Sequence, residues 1–135
     1  MSDPTGFCLC GKVHITLPAT KTTAGACHCS MCRKWSGGGP FLAVHAGPDL
    51  AMSGTEHIGR FQSSAWAERA FCTNCGTSLF YRMLGSGDHM VAAGLFGETE
   101  FSMKQEIFVD QKPEWYGFLV EGSEKKTKAQ VMGTP

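Results

Sequence analysis

Seven cysteines in this 135-residue chain fall into three short clusters, and none stands alone. The central one is Cys27-His28-Cys29-Ser30-Met31-Cys32, with three thiols in six residues. The others are pairs, Cys8-Leu9-Cys10 and Cys72-Thr73-Asn74-Cys75. Thiols so close cannot all join as disulfides without severe ring strain, but their sulfurs can converge on one ion. Such a chain is therefore folded around metal, and zinc is the first expectation.

Tetrahedral zinc takes four ligands in a closed structural site. Each two-thiol pair supplies half a shell, so Cys8, Cys10, Cys72 and Cys75 are assigned together to one structural zinc. The pairs lie about sixty residues apart, so this ion closes a large loop and contributes folding free energy directly. Cys27, Cys29 and Cys32 remain, with three sulfurs and one free position, the pattern of a catalytic zinc. Two zinc ions per chain are expected. Closure by a histidine (His14, His28, His45, His57 or His89), an iron–sulfur cluster and a purely structural second metal are the alternatives. His28 suits closure least, because on an extended segment its side chain points away from its two neighbours.

Twelve Lys and Arg balance twelve Asp and Glu, so no global field draws the chain to nucleic acid or to a membrane surface. No signal peptide is visible at the start, and no run of 18 apolar residues occurs. The expected setting is a reducing cytoplasm, where clustered thiols mean metal or catalysis.

Val13, Ile15 and Leu17 alternate with polar residues, the period-two mark of a half-buried strand. Further strands are expected over 22–29, 41–45, 57–61, 66–71, 79–84, 89–96 and 104–109, with the hairpin-like loop Gly85-Ser86-Gly87-Asp88 between two of them. Ser30 is a candidate cap for a helical turn reaching Trp35, and Gly37-Gly38-Gly39-Pro40 stops it. Gly11 and Gly76 each follow the last thiol of a pair, where a tight metal-binding turn calls for positive φ. The chain thus reads as one mainly β zinc-binding domain over 1–120, of folded antiparallel sheets with a few short helical turns. A polar, loosely ordered tail over 121–135 follows.

Gly6-Phe7-Cys8-Leu9-Cys10-Gly11, Cys27-His28-Cys29-Ser30-Met31-Cys32-Arg33-Lys34 and Phe71-Cys72-Thr73-Asn74-Cys75-Gly76-Thr77-Ser78-Leu79 resemble the glutathione-dependent formaldehyde-activating enzymes, a family that includes centromere protein V. The resemblance spans 6–115. It implies a β-tent-like zinc domain and the same partition of thiols. It also implies addition of glutathione to formaldehyde, giving S-(hydroxymethyl)glutathione, formally a carbon–sulfur lyase run in reverse. The chain departs from the family pattern at Glu106, where many members place His before the Ile-aromatic pair, here Ile107-Phe108.

Cys27, Cys29 and Cys32 are accordingly the expected catalytic residues, holding a zinc that receives a substrate thiol as thiolate. Three thiolates make the ion a poor Lewis acid for a carbonyl, so thiol delivery is favoured over carbonyl polarisation. The expected partners are a small thiol such as glutathione and a small aldehyde. Glutathione carries two carboxylates, so its pocket should offer cations. Arg33 and Lys34 follow the cluster directly, with Arg60, Arg69 and Arg82 as further candidates, and Trp35 is expected at the pocket wall. Trp66 and Trp115 read as core. The competing classes are a zinc-stabilised binding module without turnover and a lyase using another small thiol.

Overall fold

Val13, Ile15 and Leu17 are fully buried, as their alternation requires, and the core is built outward from them. A computed structural model describes residues 2–118, 122, 124 and 127–133. In chain order the elements are β1 (Thr5–Phe7), β2 (His14–Thr16), β3 (Thr23–Cys27), helix α1 (Ser30–Ser36), β4 (Phe41–Gly47), β5 (Ala51–Ser53), β6 (Ile58–Phe61), β7 (Ala67–Cys72), β8 (Ser78–Met83), β9 (His89–Ala92), β10 (Ser102–Ile107) and helix α2 (Lys128–Met132). Single 3-10 turns occur at Thr55–His57, Ala93–Phe96 and Val109–Gln111.

Two sheets result. The smaller has the order β1-β2-β5, and the larger β10-β3-β4-β9-β8-β7-β6. Two neighbouring cross-strand rows explain how the larger sheet serves both stability and function. Ala24, Val44, Val91, Phe80 and Ala70 lie opposite one another in turn, and all are buried in the core. One residue along, His45, Met90, Tyr81 and Arg69 form the adjacent row. Side chains alternate faces along a strand, so this second row projects from the opposite face and lines a cavity.

The mainly β expectation holds, and most strands fall where the alternation put them. The differences have physical causes. β10 joins β3 in parallel, not antiparallel, because the chain crosses the sheet before adding at its edge. The strand expected to reach Phe96 stops at Ala92, and the following 3-10 turn inserts Leu95 and Phe96 into the core. β1 and β5 were not anticipated. Each has three residues, too few for a periodic signal. Trp66 and Trp115 are not core residues: they are 55% and 72% exposed.

Helix α1 ends as its glycines demand. Gly37 adopts φ 92°, and the Gly38 amide donates to the Arg33 carbonyl. Its N-cap is Cys29, one residue before the expected Ser30. Of the expected tail, residues 121, 123, 125, 126, 134 and 135 lie outside the described residues. Lys128–Met132 within it form α2, capped by Thr127.

Candidate metal centres

Cys8 and Cys10 sit on the turn between β1 and β2, and Cys72 and Cys75 on the turn leaving β7. The two turns are built alike. The Gly11 amide donates to the Cys8 carbonyl at 2.9 Å and the Gly76 amide to the Cys72 carbonyl at 2.8 Å. Both glycines take the positive φ expected of them, 81° and 79°. The Cys8 sulfur accepts the Val13 amide at 3.3 Å. Thr77, which sequence reasoning missed, joins the halves: its hydroxyl accepts the Leu9 amide at 3.1 Å and lies 3.1 Å from the Cys75 sulfur. Hydrogen bonding from Thr77 holds the Cys75 thiol down at about 5.

The four sulfurs lie within 4.8 Å of one another. Cys8 to Cys10 is 3.6 Å and Cys10 to Cys72 is 3.8 Å. Sulfurs about 2.3 Å from a tetrahedral ion stand roughly 3.8 Å apart, so these four fit a zinc-sized shell.

Cys27, Cys29 and Cys32 form the second group, also within 4.8 Å. Cys27 ends β3, and Cys32 lies in the first turn of α1. Cys29 uses its sulfur as the helix cap, accepting the Cys32 amide at 3.3 Å. The sequence folds this way because extended residues up to Cys29 give way to helix at Ser30, which swings Cys32 back over the strand end. Among the described residues no histidine or carboxylate joins the three as a fourth donor. Hydrogen bonding from Cys32 holds Cys27 below the ordinary thiol range; the same contact, then burial, pushes Cys32 far above it.

His28 points away from the cluster, as its position between two inward residues requires. It is 1% exposed, with Nδ1 2.8 Å from the Tyr116 hydroxyl and Nε2 2.9 Å from Glu106 Oε1. Glu106, the departure from the family pattern, thus braces the back of the cluster. Its strand also supplies the Ile107 carbonyl that accepts the His28 amide.

All three cysteines line a cavity of about 530 Å³ on the outer face of the large sheet. Gly25 and Ala43 form part of its floor, and Trp66, Tyr81, Met90 and Phe108 contribute wall. Among the described residues Phe108 is the non-glycine residue with positive φ, 56°, and this strained backbone borders the cavity. Burial raises the Tyr81 phenol above its usual range.

Arg33, Lys34 and Trp35 are absent from this lining. Helix α1 turns Arg33 backward, where its Nε donates to the His28 carbonyl. Lys34 is exposed, and Trp35 packs on Phe41 with ring centroids 4.9 Å apart. The cations that do line the cavity are Arg69 and Lys104, joined by His45. Arg69 is among the further cations the sequence offers, whereas no motif or spacing in the sequence marks Lys104. Only sheet register brings β7 and β10 to the same face as Cys27, and single-strand patterning carries no such information.

The family model described as glutathione-dependent formaldehyde-activating enzyme matches residues 3–111. A Schizosaccharomyces pombe protein named only as an uncharacterized lyase is 33% identical over 120 residues, covering 87% of each chain. A Halomonas elongata protein provisionally named as a glutathione-dependent formaldehyde-activating enzyme is 32% identical over 84 residues, 56% of this chain and 53% of its own. The crystal structure of a Rhodobacter sphaeroides protein shares the fold with a TM-score of 0.59. It covers 74% of this chain and 99% of its own at 23% identity.

Proposed function

Since the chain belongs to the glutathione-dependent formaldehyde-activating enzyme family, we propose that it joins and separates a small thiol, glutathione in the first instance, and a small aldehyde. The observation that carries this reading is the set of three sulfurs, Cys27, Cys29 and Cys32, converging at the wall of a roomy cavity without a fourth donor among the described residues. Cys8, Cys10, Cys72 and Cys75 hold one zinc for stability, and the three remaining cysteines hold a second. Bound there, zinc supplies an open coordination position that keeps a thiol ionised near neutral pH.

The rest is the work of the chain. Walls from Trp66, Tyr81 and Phe108 exclude water and hold the aldehyde close to the sulfur, which lowers the entropic part of the barrier. In the joining direction the thiol sulfur bonds to the carbonyl carbon, and the thiol proton ends on the former carbonyl oxygen. Cleavage is the reverse, a carbon–sulfur lyase reaction. The Tyr81 hydroxyl, kept protonated by burial, is a donor for that oxygen. His45 lies level with Thr23 on β3, about 13 Å along the strand from Cys27, and Lys104 lies between the levels of Ala24 and Gly25, roughly 7–10 Å along it. There they meet the carboxylates of a peptide-like thiol. Arg33 and Lys34, which do not line the cavity, leave that role to them.

Tightly clustered free thiols persist in a reducing compartment, so we place the protein in the cytoplasm. Among the described residues no helix is long and apolar enough to cross a membrane. Exchange NMR of labelled formaldehyde with glutathione tests the function. The protein should speed exchange between free aldehyde and adduct, and Cys29→Ala should not. A folded, two-metal protein without any acceleration would favour the binding-module reading. Acceleration with another small thiol alone would reassign the substrate.

A further inference from the structure

Arg69 carries a full charge into the interior with only 4% of its surface exposed. A buried cation is costly unless an anion meets it. Among the described residues no carboxylate pairs with it: the adjacent Glu68 faces away and binds Arg60 and Arg82. Instead both terminal nitrogens of Arg69 donate to the Cys32 sulfur, each at 3.7 Å. Its Nε donates to the Ser63 hydroxyl at 3.2 Å, and the guanidinium stacks between Trp35 (5.0 Å) and Tyr81 (4.9 Å). Three of its N–H groups and both faces of the guanidinium plane are engaged, which holds it in place beside the Cys32 sulfur.

We propose that Arg69 is the built-in counter-ion of the Cys27–Cys29–Cys32 site, a positioning residue that balances the charge of its three-thiolate shell and fixes the Cys32 sulfur. A divalent ion with three thiolates carries one net negative charge, and one guanidinium cancels it. The planar fork suits this contact in a way an ammonium does not. Among the described residues no Lys or Arg side chain donates to a sulfur of the four-cysteine site. Its sulfurs take backbone amides and Thr77, and Cys10 is open to solvent. The proposal rests on reading the three-cysteine cluster as a metal site.

Chelator competition on the zinc-loaded protein, with cobalt substitution as a spectroscopic check, tests it. Arg69→Met, similar in length and uncharged, should weaken the second metal by about 10- to 100-fold, the usual effect of losing a partner that orients a ligand. The four-cysteine metal should be untouched, and Arg69→Lys should recover part of the loss. A Met variant binding both metals with native affinity overturns the proposal. Should that variant fail to fold, Cys32→Ala provides the background, because its guanidinium is then stranded. Cys32→Ala/Arg69→Met should melt higher than Cys32→Ala, and equal or lower melting overturns the idea. Native protein that takes up a single metal overturns both the proposal and the metal reading beneath it.

Discussion

Cys10 and Cys72 stand 62 positions apart in the chain, and their sulfurs lie 3.8 Å apart. Without a metal this contact sets sulfurs against one another; with one it ties the first turn of the small sheet to the end of β7. Cys72→Ser should therefore unfold or precipitate the protein, since structural zinc binding is itself folding free energy. Cys29→Ser should leave a folded chain that has lost the second metal alone. Thermal melting with metal analysis separates the two, and equal damage would contradict the division of roles.

Elemental analysis should return two zinc ions per chain, from the four-plus-three grouping of sulfurs. A single zinc, or iron with visible absorption, would refute it.

Glutathione should enter the second site through sulfur. X-ray absorption at the zinc edge should gain about half a sulfur per zinc on its addition, because one of two sites changes. S-methylglutathione retains both carboxylates but cannot form a thiolate, and should bind far more weakly. Equal affinity for the two, with an unchanged spectrum, would indicate a closed site.

Directly after chelation, before the domain unfolds, the thiols should react in a definite order. Cys75, held at about 5 by Thr77, is ionised at pH 7, whereas Cys32 is pushed far above the thiol range by Cys27 and by burial. Mass spectrometry after brief alkylation should find Cys75 modified early and Cys32 last. The same depressed value sets a stability trend. Cys75 contributes stability that is fully present above its unfolded value near 9.0 and is lost as pH falls through about 5. Unfolding of the freshly chelated domain should accordingly quicken on acidification across that window, and Thr77→Val should flatten the trend.

Phe108→Gly should alter binding more than folding. Relief of the left-handed backbone returns on the order of 1 kcal/mol, which offsets the loss of a half-exposed ring. Melting should stay nearly constant while KM for the thiol–aldehyde reaction rises; unchanged KM would remove Phe108 from the pocket wall.

Spacing along the chain determined the partition of the thiols, the positive φ at Gly11 and Gly76, and the outward turn of His28, because each depends on a few consecutive residues. Alternation determined most strands for the same reason, and it failed at β1 and β5, where three residues hold too little pattern. Tertiary structure alone decided which cation meets the cysteines. Arg33 is next to Cys32 in sequence yet faces the back of helix α1, while Arg69, 37 positions away, is carried to the Cys32 sulfur. That contact is set by the register of β7 on β8 and β8 on β9. Register is a relation between strands, fixed by the packing of the whole sheet, and no single segment contains it.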